Sequence, residues 1–176
     1  FLGSSPDGGF SFGRMLNAAQ TVLPYFVVLP LFLGVATAAV PNLIGGRRMA
    51  FPRLQAFVLW GYVVATAFFV ASFAVVDGPP AVRLLETAVP SASLGPANKA
   101  TDLLLGSLML VTIVTILGAF NVVATVVTQR AAGTRLSDVR PFAFASLVTG
   151  GVIMLASPVF LAGLLLLEFD QHFGGN

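Results

Sequence analysis

Apolar residues fall in four long runs, at about 16–40, 54–76, 103–127 and 142–167, and most charged side chains lie between or beyond them. Each run is at least as long as the roughly 20 residues with which an α-helix crosses the hydrocarbon core of a bilayer. The predicted fold is therefore all-α and membrane-integral. It comprises a polar N-terminal lead over 1–15, a four-helix transmembrane domain over 16–167 and a polar C-terminal tail over 168–176.

The breaks in the pattern refine this reading. Pro24 and Pro30 interrupt the first run, and each removes a backbone hydrogen bond, which predicts a kinked helix supported by its neighbours. A turn holding Gly45, Gly46, Arg47, Arg48, Pro52 and Arg53 leads into the second run, which stops at Asp77, Gly78, Pro79 and Pro80. The connection from Asp77 to Asp102 is rich in turn formers; 82–89 could lie on the membrane surface as a short amphipathic helix, and ordinary loop packing is the simpler expectation. Asn121 in the third run is expected to hydrogen-bond to a neighbouring helix, and Gly150 and Gly151 in the fourth to permit close helix approach. No internal repeat or low-complexity segment is evident.

Composition agrees: 57% of residues are hydrophobic and 9% charged, against about a quarter charged in ordinary soluble domains, and mean hydropathy is +0.94. With no cysteine, thiolate metal sites, iron–sulfur clusters and disulfides are excluded. The opening FLGSSPDGGFSFG is too rich in Gly, Ser and Pro for the apolar core of a signal peptide, and the start at Phe1 leaves room for residues upstream. Four spans put six arginines (Arg47, Arg48, Arg53, Arg130, Arg135, Arg140) on one face and Arg14, Arg83 and Lys99 on the other. The positive-inside rule then turns the arginine face to the cytoplasm or matrix and both termini outward.

The segment VPNLIGGRRMAFPRLQAFVLW, from Val40 to Trp60, resembles the connection between the second and third transmembrane helices of haem-copper oxidase (cytochrome c oxidase) subunit I. The similarity extends along the chain in order. MLNAAQTVLPYFVVLP keeps the family's spacing from a haem-ligating histidine to a proline, here Ala19 to Pro30. SLMLVTIVTILGAFNVVATVVTQRAAGTRL resembles helix four and its turn through Ser107, Leu108, Gly118, Ala119, Asn121, Arg130, Ala131 and Gly133, and SPVFLAG with FDQHFG resembles the end of helix five and the segment after it. The resemblance implies helices two to five of a larger bundle, set in a bacterial inner membrane or a mitochondrial inner membrane. The helices that carry the copper-binding histidines, the active-site tyrosine and the second low-spin haem ligand have no counterpart.

The departures from the family pattern fall on its functional positions. Ala19 stands where the low-spin haem ligand would be, and a methyl group offers iron no lone pair. Arg48 replaces the aspartate of DMAFPR at the mouth of a proton channel, a reversal that repels cations. Gln55 and Ala56 replace two channel asparagines, the loop before Val40 is one residue short where a third would lie, and Met109 replaces a histidine. No replacement chemistry is legible. His172 reads as an exposed or interfacial histidine rather than a ligand, Met15, Met49, Met109 and Met154 as core filler, and no carboxylate lies within a span to mark an ion path. Gly45 and Gly46 lack the spacing of a nucleotide loop, and no Ser, His and Asp set is present.

The sequence thus predicts no catalytic, cofactor-binding or metal-binding residue, and no enzymatic activity for this chain alone. The leading expectation is a non-catalytic, subunit-I-like component of an electron-transfer complex, with other membrane subunits, lipids and surface pigment or quinone as partners, and no nucleic acid. The arginines at 47, 48, 53, 130, 135 and 140 are expected to meet lipid headgroups or an acidic partner subunit. The alternatives are one fragment of a split oxidase subunit I, active only with a partner chain, and a small haem, quinone or carotenoid binding membrane protein.

Overall fold

In a computed structural model of the chain, residues 23–46, 48–75, 99–129 and 140–173 are described. They form four helices: α1 (Leu23–Leu43), α2 (Pro52–Ala74), α3 (Lys99–Thr128) and α4 (Pro141–Phe173), each long and apolar enough to cross a membrane. α3 is the axis of the bundle. Over its most apolar window 56% of residues are buried, against 17% for α1 and α2 and 11% for α4; the other three helices pack around it and turn their remaining faces outward.

Local sequence explains the start and end of α1 and the starts of α2 and α4. The first turns of α1, Leu23–Val28, are wound as a π-helix between Pro24 and Pro30. Pro30 cannot donate to the carbonyl four residues back, so a wider turn accommodates the missing bond. The expected kink is thus a local change of helix pitch. α1 ends where Gly45 takes φ 77° and the Gly46 amide donates to the Pro41 carbonyl at 2.9 Å, the outer bond of a Schellman turn. α2 and α4 both begin on a proline, Pro52 and Pro141, where the missing N–H costs nothing because no intrahelical acceptor precedes it.

α4 runs six residues beyond the apolar stretch expected to end at 167. Apolarity marks where a helix can sit in lipid, whereas its backbone bonds can continue into the polar interface, so hydropathy underestimates its length. α3 likewise starts four residues before its expected span, at Lys99.

Two apolar clusters fill the bundle. At the end holding the α1–α2 turn, Leu33, Ala36, Val40 and Ile44 pack with Ala119, Val122 and Val126 of α3 and Ala143 of α4. Towards the other end, Phe69 of α2, Leu104, Leu105 and Leu108 of α3 and Leu164 of α4 form the second. Aromatic pairs fix the π-wound turns of α1 between their neighbours: Phe26 lies 4.9 Å from Phe69 of α2, and Tyr25 stacks 5.0 Å from Phe160 of α4, centroid to centroid.

Glycines set the helix separations. A Cβ on Gly61 of α2 would lie 2.5 Å from Val114 Cγ2, and one on Gly150 of α4 would lie 2.8 Å from Val123 Cγ2. Ala143, Ser146 and Gly150 form the small, buried stripe by which α4 meets α3, as close packing inside lipid requires. Most buried hydroxyls turn onto their own helix. Ser72, Ser107, Thr112, Thr115, Thr125 and Ser146 each donate to a carbonyl three or four residues earlier, so their burial leaves no donor unsatisfied. Thr115 also meets the Tyr62 hydroxyl of α2 at 2.7 Å.

Candidate functional site

The turn between α1 and α2 carries the polar residues that matter most to the oxidase resemblance, and α3 holds it by its backbone. Asn121 is fully buried. Its Oδ1 accepts from the Phe51 amide at 3.1 Å, and its Nδ2 donates to the Phe51 carbonyl at 3.1 Å and to Gln55 Oε1 at 3.2 Å. One turn later along α3, the Thr125 hydroxyl accepts from the Ala50 amide at 3.0 Å and lies 3.6 Å from Met49 Sδ. Residues entering a helix have amides without intrahelical acceptors, and Phe51 has no side-chain cap of its own. Asn121 and Thr125 supply what the local sequence lacks.

Gln55, one of the two positions where the resemblance would place channel asparagines, therefore belongs to a structural node, while its neighbour Ala56 is exposed. Met109, where the resemblance would place a histidine, packs against the second apolar cluster with Phe26 and Phe73; Met49 and Met154 pack against the first. Ala19 and Met15 lie outside the described residues. The small loop expected before Val40 is not present: those residues continue α1, which runs on to Leu43. The contact expected of Asn121 is present, but its partners, a loop backbone and Gln55, are not readable from spacing.

Of the six arginines, Arg47, Arg130 and Arg135 lie outside the described residues. Arg48, Arg53 and Arg140 are exposed, and none of the three makes an ion pair among the described residues. All three sit at the end of the bundle where α1 stops and α2 starts. Arg53 borders a groove of about 540 Å³ whose remaining lining is Ala50, Phe51, Pro52, Leu54 and Phe120. The Phe51 and Phe120 rings stack across it at 6.0 Å. The site thus combines a guanidinium, a helix N-terminus and an apolar trough, a combination suited to an amphiphilic anion.

The opposite end carries acidic groups: Asp102 in the first turn of α3, and Glu168, Asp170 and the exposed His172 in the last turns of α4. His172 lies 3.9 Å from both Asp102 and Glu168.

With this geometry in view, comparison with known proteins is decisive. Residues 4–176 match the family described as Cytochrome C and Quinol oxidase polypeptide I. The chain belongs to that family. Similar proteins include a probable cytochrome c oxidase subunit 1-beta of Nocardia farcinica, 31% identical over 165 residues that make up 94% of this chain and 28% of the relative. The cytochrome c oxidase subunit 1 of Cereibacter sphaeroides is 32% identical over 94% of this chain and 30% of its own length. The quinol oxidase subunit 1 of Bacillus subtilis is 30% identical over 94% and 25%.

This subunit-I-type chain accordingly spans less than a third of the relatives it matches. The family match and the four apolar helices make it an integral membrane protein of the oxidase-subunit-I type. The node around Asn121 ties the turn between α1 and α2 to α3.

Proposed function

We propose that this chain is a non-catalytic, subunit-I-type unit that packs against further membrane subunits of an electron-transfer complex and stabilises them. The feature that carries the reading is Ala19, which the resemblance sets at the position of the haem-ligating histidine. Whatever other chains accompany it, an alanine there supplies no axial ligand, since haem iron needs a lone pair from imidazole, thiolate, thioether or phenolate. Arg48 reinforces the reading, because a cation at a proton entry opposes proton collection. The node built from Asn121, Gln55 and the Phe51 backbone supports it too, since these polar groups satisfy one another.

The outer faces are suited to such packing. Leu155 is 80% exposed, Val159 74% and Trp60 67%, surfaces that only lipid or other membrane helices can cover at low cost. Purified in mild detergent through an affinity tag, the chain is expected to bring down larger membrane subunits at fixed stoichiometry, and on its own to give no pyridine haemochrome. Recovery always alone, or a haem spectrum belonging to this chain, would overturn the proposal. A second reading, a fragment of a split subunit I, is favoured by the match to under a third of each relative. An oxygen-reducing complex containing this chain as its subunit I segment would establish that reading instead.

The arginine end is proposed to face the cytoplasm or matrix and to bind anionic lipid. Arg53 borders an apolar groove at a helix start and Arg48 is exposed in the turn before it, so a phosphate would sit at the guanidinium while an acyl chain lies against Phe51, Leu54 and Phe120. The doubly substituted Arg48→Gln/Arg53→Gln protein is expected to retain several-fold less phosphatidylglycerol after detergent washing than the unaltered chain, with phosphatidylcholine retention unchanged. Equal retention of phosphatidylglycerol would remove these arginines from lipid recognition.

A further inference from the structure

A second side-chain cluster lies at the end of the bundle away from the arginines, where the oxidase resemblance assigns no function. Asp102 belongs to the first turn of α3, and Glu168 and His172 stand one turn apart near the end of α4, so that two helices contribute. One ligand atom from each of the three lies within 4.8 Å of the other two. His172 Nε2 is 3.9 Å from Asp102 Oδ2, and Nδ1 is 3.9 Å from Glu168 Oε1. These separations are too long for hydrogen bonds, though within ion-pair range.

A second observation concerns the other oxygen of each carboxylate. Asp102 Oδ1 and Glu168 Oε2 are shielded from solvent without any hydrogen-bond partner, as are both polar atoms of the adjacent Gln171 amide. Ordinary proteins leave few such atoms, and each calls for an explanation such as an ion. Two carboxylates facing one imidazole, each with one shielded and unpartnered oxygen on a side chain that is otherwise 37% and 30% exposed, form an electron-rich cluster that a cation would relieve.

The imidazole is already oriented for this. His172 Nδ1 lies 3.2 Å from the Glu168 carbonyl oxygen. A proton on Nδ1 donated to that carbonyl leaves the lone pair on Nε2, the atom directed at Asp102. Metal-bound histidines commonly use their second nitrogen in this way, to fix tautomer and ring angle. Glu168 and His172 are spaced i and i+4, which places both donors on one helical stripe.

We propose that Asp102, Glu168 and His172 bind a divalent transition-metal ion, with Zn²⁺ the best fit, and that the ion ties the N-terminal end of α3 to the C-terminal end of α4. Zinc accepts imidazole nitrogen and carboxylate oxygen at about 2.0–2.2 Å, and modest rotations of three side chains, none fully buried, would bring donors at the present separations onto one ion. The imidazole selects against Mg²⁺ and Ca²⁺, which prefer all-oxygen sites. A fourth position would be filled by water or by the Gln171 amide oxygen.

The test uses the full chain, purified in detergent and stripped with chelator, titrated with Zn²⁺ by calorimetry and with Co²⁺ by visible absorption. One site per chain is expected, with Kd on the order of micromolar, and with a d–d absorption band of low-coordinate Co²⁺. His172→Gln and Asp102→Asn are each expected to weaken binding by about tenfold or more, while Asp170→Asn, outside the triad, leaves it unchanged. Circular dichroism on every variant establishes that the helices are intact. Binding only in the millimolar range, equal affinity in the triad variants, or Mg²⁺ competing on equal terms with Zn²⁺ would each overturn the proposal.

Discussion

Asn121→Leu is expected to destabilise the detergent-solubilised protein by about 2–3 kcal/mol and to loosen the turn between α1 and α2. Leucine keeps the branched shape of the side chain but removes three hydrogen bonds, two to the Phe51 backbone and one to Gln55. An interhelical hydrogen bond in a membrane protein contributes on average about 0.6 kcal/mol, and a polar group left buried without a partner costs about 1–3 kcal/mol. The Phe51 amide and Gln55 Oε1 would be left in that state. The control is Thr128→Ala, which removes only an exposed bond to its own helix and is expected to stay within about 0.5 kcal/mol. Thermal unfolding and hydrogen exchange at the amides of Ala50 and Phe51 provide the readouts. Unchanged exchange at Phe51 in the leucine variant would show that Asn121 does not hold the turn.

Gly118→Val is expected to cost about 3 kcal/mol, by a different route. Gly118 is buried on α3 where α1 and α2 converge: an added Cβ would lie 2.9 Å from Leu33 Cδ1 and 3.4 Å from Val58 Cγ1. Alanine at this position meets mainly the movable end of Leu33, so its effect should be small. Valine adds two further methyl groups with a restricted χ1 in a helix, and overpacking of this kind typically costs 1–3 kcal/mol. Leu33→Ala should restore part of the loss in the double variant, because it vacates the space into which the valine would grow. An unfolding midpoint unaffected by Gly118→Val, or an absence of rescue, would mean that the helices are not held at this separation by Gly118.

Both substitutions act at positions already distinguished in the sequence, which shows how much could be read there. Four spans, their order, the basic turns and the relation to oxidase subunit I follow from hydropathy and from motifs such as RMAFPRL. These properties are local: a run of apolar residues has one economical conformation in lipid, in which a helix satisfies every backbone group. Asn121 was legible as a polar residue needing a partner, and Gly150 as a site of close approach.

Tertiary structure decided what those residues meet. That α3 is the axis could not be read from hydropathy, since all four runs are similarly apolar and the order of packing depends on which small residues face one another. Gln55 became the partner of Asn121, and Asp102 came to face His172, because antiparallel helices bring together side chains far apart in the chain, which no spacing rule encodes. The sequence by itself determined that the chain enters a membrane and which family's scaffold it uses. Only the packed helices decided which polar groups are satisfied and which are left open, because hydrogen bonding and coordination depend on distances of a few ångströms between separate elements.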